Sequence, residues 1–525
     1  MDTNLADLLA RAASAEPDKI AVCEAETGAT MTWAGLDDLA DRVAHGLSRA
    51  GMVAGYRVLI ATTNRIEFVA GYLGVLRARM VAVPVNPRSV TGELIRMLAD
   101  SGARMVFADA STITGVRAAV EGLREALDAS GASVATPRLV TIGTPPEEGE
   151  RSFEALVEES GEPVPVPADP EALAVLLYTS GTSGRPRAAM LSHRALLANV
   201  AQVAQVEPPM IHPQDVVLGV LPLFHVYGLN AVLGQVLHQR ARLVLVDGFD
   251  PEGTLDIIED EAISVLPVAP PVFAYWIQVP GLEDRLGPVR LVLSGSAPLS
   301  PELVDEFADR TKVLVHQGYG LTEAAPVVTS TLCSAHPSRR SVGSALPGIS
   351  IRLVDEAGHE PENEDGGEIW IRGDNLFSGY WPDRTDGPDA EGWWATGDVG
   401  YLDEAGDLYL VDRIKELVIV SGFNVYPSEV EDVITELDEV ELAAVIGAKD
   451  EQTGEAVVAY VKPSRTATPD TLADLVRSHC AQRLARFKQP TTIHVVDELP
   501  QTIAGKVQKG RLRATERRRA LGLLE

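Results

Sequence analysis

Between two apolar runs the chain carries Tyr178-Thr179-Ser180-Gly181-Thr182-Ser183-Gly184-Arg185-Pro186-Arg187. Hydroxyls and glycines at this density point to an anion, above all a phosphate. Glycine lets backbone N–H groups approach the anion closely, and serine and threonine hydroxyls donate further hydrogen bonds. The pattern is not a Walker A loop, which needs four residues between its glycines and then Gly-Lys-Ser/Thr. A cradle of this kind needs anchored ends. The preceding Ala172-Leu173-Ala174-Val175-Leu176-Leu177 suits a buried strand, and the later Ser192-His193-Arg194-Ala195-Leu196-Leu197 suits a helix capped by Ser192. The loop is therefore expected between a strand and a helix.

Four further strings come in order: Gln317-Gly318-Tyr319-Gly320-Leu321-Thr322-Glu323, Gly392-Trp393-Trp394-Ala395-Thr396-Gly397-Asp398, Val411-Asp412-Arg413-Ile414-Lys415-Glu416 and Pro500-Gln501-Thr502-Ile503-Ala504-Gly505-Lys506. One such string is weak; five in order, across nearly the whole chain, are specific. Together they resemble the adenylate-forming superfamily: AMP-dependent acyl-CoA synthetases, aryl-CoA ligases, luciferases and peptide-synthetase adenylation domains. In texture the chain is most similar to bacterial fatty-acid–CoA and 4-coumarate–CoA ligases.

The resemblance implies a two-step reaction. A carboxylate attacks the α-phosphorus of ATP, giving acyl-AMP and pyrophosphate, and the acyl group then passes to a thiol. Positioning and electrostatics carry such phosphoryl chemistry. By resemblance, Thr179, Ser180, Gly181, Thr182 and Ser183 hold the β- and γ-phosphates with Arg187 at the loop's end. Thr322 contacts the α-phosphate, and Glu323 carries Mg²⁺, a hard cation served by one carboxylate plus phosphate oxygens and water. Asp398 and Arg413 take the ribose. Tyr319 stacks on adenine, with Gln317, Gly318 and Gly320 beside it and Ser294, Gly295, Ser296 and Ala297 as the opposite wall. Lys506 bridges the carboxylate and the α-phosphate in the first step, a role that suits a compact ammonium on a flexible stem.

The family usually has Lys-Gly after the loop's proline, where this chain has Arg187-Ala188. Arginine still binds phosphate through its fork, but alanine lacks glycine's access to a left-handed backbone. Loop closure on pyrophosphate is the step this departure puts in question.

Leu221-Pro222-Leu223-Phe224-His225-Val226-Tyr227-Gly228-Leu229-Asn230 looks like the substrate-pocket motif of acyl- and aryl-CoA ligases, with His225 beside the carboxylate. The pocket positions, Tyr227, Val268, Ala269, Gly295, Gly320, Ala325, Pro326 and Val327, are small or apolar, which suits a fatty or aromatic acid. No aspartate for an α-amine is evident in this motif. Ser421-Gly422-Phe423 resembles a loop that contacts pantetheine and favours CoA as acceptor. The expectation is a fatty-acyl-CoA synthetase using ATP, Mg²⁺ and CoA. An aryl-CoA ligase, an acyl-AMP ligase loading a carrier protein, and a non-catalytic adenylate-binding regulator are alternatives, the last motivated by Arg187-Ala188.

These residues need a frame. Short Val/Ile/Leu runs such as Arg57-Val58-Leu59-Ile60-Ala61 and Arg242-Leu243-Val244-Leu245-Val246 alternate with helix-like stretches, which predicts an α/β fold of largely parallel sheets. Between Gly348 and Leu410, frequent turns and the alternating Glu368-Ile369-Trp370-Ile371-Arg372 predict a small antiparallel β unit. The last roughly 110 residues read as a separate α+β domain. It would hold a helix from Ser428 after the breaker Pro427, strands over 442–447 and 456–461, and a helix from Asp470 to Leu484. The expected split is 1–413 for substrate and ATP and 414–525 for a mobile lid, with Lys415 as the hinge.

A chain of 525 residues exceeds one core. Its net charge of −30 argues against general affinity for nucleic acid or anionic lipid. Cys23, Cys333 and Cys480 are far apart, without metal spacing, and fit a reduced cytosol. The acidic start lacks a signal peptide's basic-then-apolar order. The longest apolar tract, Val216 to Leu237, contains Pro222, His225, Asn230 and Gln235, so it reads as buried core rather than a membrane span.

Overall fold

Strands buried on both faces need helices to cover them, and a crossover helix returns the chain in the same direction, so alternating strands and helices build parallel sheets. A computed structural model describes residues 2–130, 136–158, 169–179, 187–297, 299–355, 358–361, 366–413, 418–420, 423–450, 453–465, 467, 469–484, 486–502 and 506–520. They fall into two units, one from Met1–Ser180, Pro186–Ser350 and Arg372–Trp393, the other including Ile351–Ile371 and Trp394–Glu525.

The larger unit contains two seven-stranded sheets. One has the spatial order Val315–Gln317, Leu291–Ser294, Val265–Val268, Val216–Gly219, Arg242–Leu245, Ile20–Glu24 and Thr30–Thr32, with only the last pair antiparallel. The other runs Arg151–Ser152, Arg138–Ile142, Met105–Asp109, Arg57–Ala61, Val81–Pro84, Leu173–Thr179 and Arg187–Ser192, again antiparallel only at the last pair. Helices seal the strand faces. Phe273 and Phe307, both fully buried, meet edge to face at 5.1 Å under the first sheet. Helix starts obey capping rules: Ser192 Oγ accepts from Ala195 N, and Ser300 Oγ accepts from Leu303 N with Pro301 in the first turn.

The predicted strand before the phosphate loop is present, and so is the helix capped by Ser192. The element immediately after the loop differs from the expectation. Arg187-Ala188-Ala189-Met190-Leu191-Ser192 is a strand, antiparallel to Leu173–Thr179, so the loop joins two strands of one hairpin. The apolar run after Arg187 earns this by burying Ala188, Ala189 and Leu191 almost completely.

The smaller unit holds a four-stranded sheet in the order Ser350–Val354, Gly367–Arg372, Trp393–Leu402, Leu408–Arg413, where the β unit was expected. It also holds a five-stranded sheet built on the long antiparallel pair Val440–Asp450 and Gly454–Pro463. Both of these strands are longer than expected. Their helix runs Pro469–Arg483. Pro427 is not a breaker before its helix but the first residue within it, where its missing N–H costs no hydrogen bond, and the cap position is Tyr426 rather than Ser428. The tract from Val216 to Leu237 splits into a strand, a π-helix Tyr227–Gly234 and a short helix. Among the described residues, no helix is long and apolar enough to cross a membrane.

Candidate active site

Parallel α/β sheets bind ligands beyond the carboxyl ends of their strands, where loops and unpaired backbone groups converge. The register of the first sheet places Val268 beside Ser294 and Ser294 beside Gln317, one row across three strands at their carboxyl ends. The segments leaving this row are those the sequence singled out: Ala269, Gly295-Ser296-Ala297, and Gly318 to Glu323. Val268 is fully buried, and the buried Ser294 hydroxyl has no hydrogen-bond partner. Ser296 adopts φ 75°, the left-handed region uncommon outside glycine. Tyr319 is buried and its N–H donates to Thr329 Oγ1 at 3.2 Å. Gln317 is anchored through its side chain to Arg339 O at 2.9 Å.

His225 and Tyr227 come from the loop after the neighbouring strand Val216–Gly219. His225 is an exposed residue, yet other protein groups crowd its ring. That crowding lowers its pKa, so the ring is neutral at pH 7. Tyr227 opens the π-helix, a wide turn that recurs at functional sites. Its Oη donates to Leu293 O at 3.4 Å, and its ring lies against the α-carbon of Gly295. Gly320 plays a different part from the one expected. A Cβ there would stand 2.4 Å from Pro326 O, so this glycine permits a close backbone approach and leaves no side-chain-sized space. Pro326 is buried, and Val327, partly buried, bridges back to Gly320.

Arg187 begins the hairpin's second strand, paired with Thr179, whose hydroxyl donates to Arg187 O at 3.4 Å. Ala188 is extended within that strand and pairs with Tyr178, so the position asks for no left-handed backbone. The Arg187 guanidinium lies 3.7 Å from the Tyr380 ring centroid and donates to Asp386 Oδ2 at 2.6 Å. The Tyr380 hydroxyl donates to Glu323 Oε1 at 2.6 Å. Glu323 is buried in a short 3₁₀ turn, Thr322–Ala324, of which Thr322 is the first residue. No cluster of three or more His, Cys, Asp or Glu side chains able to hold a metal exists among the described residues. A single buried carboxylate, Glu323, fits Mg²⁺ whose other ligands are phosphate oxygens and water, not an all-protein cage.

In the smaller unit, Asp398 and Arg413 are direct partners across the antiparallel ladder. Asp398 is buried, and its N–H donates to Thr396 Oγ1. Lys506 is exposed, and its O accepts from Thr502 N at 2.8 Å. Of the neighbouring cations, Lys488 pairs with Glu429 and Lys509 with Glu431. Ser180, Gly181, Thr182, Ser183, Lys415, Ser421 and Gly422 lie outside the described residues.

Tyr380, Asn199 and Asn375 escaped the sequence reading, and Asn230 was read only as the end of the motif that begins at Leu221, without a role of its own. Tyr380 sits in no motif that was read. Asn199, Asn230 and Asn375, each 1% exposed, hold the backbone after Glu323. Asn199 bonds both backbone groups of Val327, Asn230 donates to Ala325 O and Asn375 to Ala324 O. For Asn199 and Asn230 the signal was there, since a lone asparagine in an apolar helical stretch must find partners, whereas Asn375 lies in a turn.

Comparison with known proteins agrees with this geometry. Residues 9–381 match the family described as AMP-binding enzyme, and residues 429–506 match its C-terminal domain. The chain is 33% identical over 511 residues to 4-coumarate–CoA ligase 5 of Oryza sativa subsp. japonica, covering 95% of this chain and 92% of that one. It is 34% identical over 515 residues to the indoleacetate–CoA ligase of Aromatoleum aromaticum, covering 97% of each. The crystal structure of ATP-bound MatB from Rhodopseudomonas palustris superposes with a TM-score of 0.87 at 33% identity, covering 98% of this chain and 99% of that one. The chain thus belongs to the AMP-binding enzyme family, as an AMP-forming acid–CoA ligase.

Proposed function

We propose that the protein activates a compact apolar acid, an aryl or aryl-alkanoic acid, and transfers it to CoA. The observation that carries this reading is Tyr227, whose ring fills the space over Gly295 and would close an acid pocket at that end. Relatives named for 4-coumarate and indoleacetate support it. A fatty acid is the second reading, favoured by the apolar lining of Val268, Pro326 and Val327, and would place the enzyme in lipid metabolism.

In the first step a carboxylate oxygen attacks the α-phosphorus, the bond to the β-phosphate oxygen breaks, and pyrophosphate leaves. The hairpin loop, Thr179 to Ser183, and Arg187 bind the departing phosphates, and Thr322 meets the α-phosphate. Mg²⁺ held at Glu323 would neutralise charge gathering on the phosphates. Tyr319, Gln317, Gly318, Gly320 and the wall Ser294 to Ala297 take adenine, and Asp398 with Arg413 takes the ribose. Neutral His225 lies beside the substrate carboxylate and adds no opposing charge that would quench the nucleophile. Lys506 balances charge between carboxylate and phosphate. In the second step the CoA thiol attacks the acyl carbonyl and AMP leaves.

Lys506 and the pantetheine contacts Ser421 and Gly422 share one lid, so the domain from residue 414 must turn about Lys415 between steps. The three cysteines, all unpaired, fit action in a reducing cytoplasm. Pyrophosphate release with a panel of aryl and alkyl acids, repeated with CoA and with a carrier protein, tests this reading. Release with aryl acids and formation of aryl-CoA is the expected result. Release only with long alkyl acids would transfer the assignment to the fatty-acid reading, and no release with any acid would leave a nucleotide-binding regulator.

A further inference from the structure

Tyr380 joins two groups of the nucleotide site that come from distant parts of the sequence. Its hydroxyl donates to Glu323 at 2.6 Å, and its ring carries the Arg187 guanidinium at 3.7 Å. Phe377 backs that ring edge-on at 5.0 Å, and Phe377 N donates to Glu323 O at 2.9 Å. The segment itself runs alongside the hairpin's edge strand: Met190 N donates to Gly379 O, and Trp381 N to Ala188 O.

The loop after Tyr380 is unusual. Gly379 has φ 101°, and a Cβ there would stand 2.4 Å from Arg384 O. Arg384 and Asp386 hold φ of 57° and 53°, left-handed for residues with side chains. Such conformations cluster at ligand clamps. Here they bring Thr385 O to Tyr380 N at 2.9 Å and present Asp386 and Thr385 to Arg187. The 2.6 Å contact with a carboxylate oxygen makes the phenol hydroxyl the donor of a charge-assisted hydrogen bond. A tyrosine that only filled space would need neither hydroxyl nor cation.

We propose that Tyr380 is a positioning residue for nucleotide binding. Its hydroxyl fixes the Glu323 carboxylate for Mg²⁺, and its ring is the platform on which Arg187 turns from Asp386 to the ATP phosphates. Glu323 Oε1 takes the phenol hydrogen bond, which holds the carboxylate in one orientation. A planar guanidinium stacks on an aromatic face where an ammonium would not match it. This gives a reason for arginine at position 187, where relatives usually have lysine. The inference rests on the roles proposed for Glu323 and Arg187 in nucleotide binding.

The test is ATP binding by calorimetry, once with Mg²⁺ and once in EDTA, with circular dichroism as a check of folding. Tyr380→Phe should weaken binding with Mg²⁺ about tenfold, the worth of one hydrogen bond to a charged group. In EDTA its affinity should stay within about twofold of wild type. In a Glu323→Gln background the same change should add nothing. Tyr380→Leu, which also removes the platform, should weaken binding in both conditions, and less so when Arg187 is already alanine. Tyr380→Phe is isosteric and decides the matter even where Tyr380→Leu does not fold. A folded Tyr380→Phe with wild-type affinity in Mg²⁺, or with an undiminished effect beside Glu323→Gln, overturns the proposal and leaves the tyrosine to packing. Wild-type protein that binds no ATP in either condition overturns the functional reading, and this inference with it.

Discussion

The Tyr227 ring lies against Gly295: a Cβ at position 295 would stand 3.1 Å from Cε1 and 3.4 Å from Cζ of that ring. Those distances leave no room for a substrate atom between the two residues. Tyr227 reaches this position from the loop after one strand, Gly295 from the end of another, so their approach is a tertiary contact.

Removing the ring should lengthen the pocket. Tyr227→Ala is expected to raise kcat/KM for an acid one or two methylenes longer, relative to the parent acid, by about 10–200-fold, the usual range for apolar pockets. Gly295→Trp should do the reverse and favour shorter acids. Both are read from kcat/KM over a graded series of acids, and an unchanged profile in two folded variants would place the pocket elsewhere.

Gly320 gives a contrasting expectation. Even Gly320→Ala drives a Cβ toward backbone oxygen at 2.4 Å, and strain of this kind typically costs about 1–3 kcal/mol. Gly295→Ala meets only a side chain at 3.1 Å, which can shift by a few tenths of an ångström. Denaturant midpoints should therefore fall clearly for Gly320→Ala and little for Gly295→Ala.

Lys506→Ala should abolish acyl-AMP formation while sparing thioester formation from supplied acyl-AMP. Loss of one transition-state donor costs about 3–4 kcal/mol. Single-turnover assays of each step separate the two, and equal damage to both would remove the lysine from its assigned role.

Lys415→Pro fixes φ near −65° and restricts Ile414. It should leave adenylation measurable and slow transfer to CoA. A folded variant with normal thioester formation from acyl-AMP would show that the hinge lies elsewhere.

His193 predicts an acid limit to stability away from the chemistry. Its Nδ1 accepts from Leu5 N at 3.1 Å, and burial lowers its pKa from 6.5 to about 4, against small opposing effects of Asp7 and Asp169. Between these values the unfolded chain binds the proton and the folded chain does not, so stability falls as pH drops from 6.5 toward 4. The full span is worth about 3 kcal/mol. His193→Asn keeps an acceptor near the Nδ1 position without titrating, and should flatten this part of the curve in urea titrations at stepped pH.

Local order made the class of chemistry legible. The hydroxyl-glycine loop, Thr322-Glu323 and Gly505-Lys506 are short strings whose meaning lies in adjacent residues, and the strand and helix periods around them arise from apolar spacing. Sequence also placed Ser192 as a cap, while the position of Val268 and Ser294 in one row at the strand ends came from the sheet register. It misplaced the element after Arg187, because a short apolar run reads alike as strand or buried helix. The Gly320 contact was hidden because only the folded chain brings Pro326 O beside it. Tyr380 stands 57 residues from Glu323 and Arg187 a further 136 before that, as the chain is numbered. Hydrogen bonds and ring contacts between such residues are decided by sheet register and by a loop with left-handed residues, neither of which leaves a periodic signal. The sequence by itself determined which groups could bind phosphate and activate an acid; the tertiary structure decided which of them meet, because contact over these separations exists only once the strands are in register.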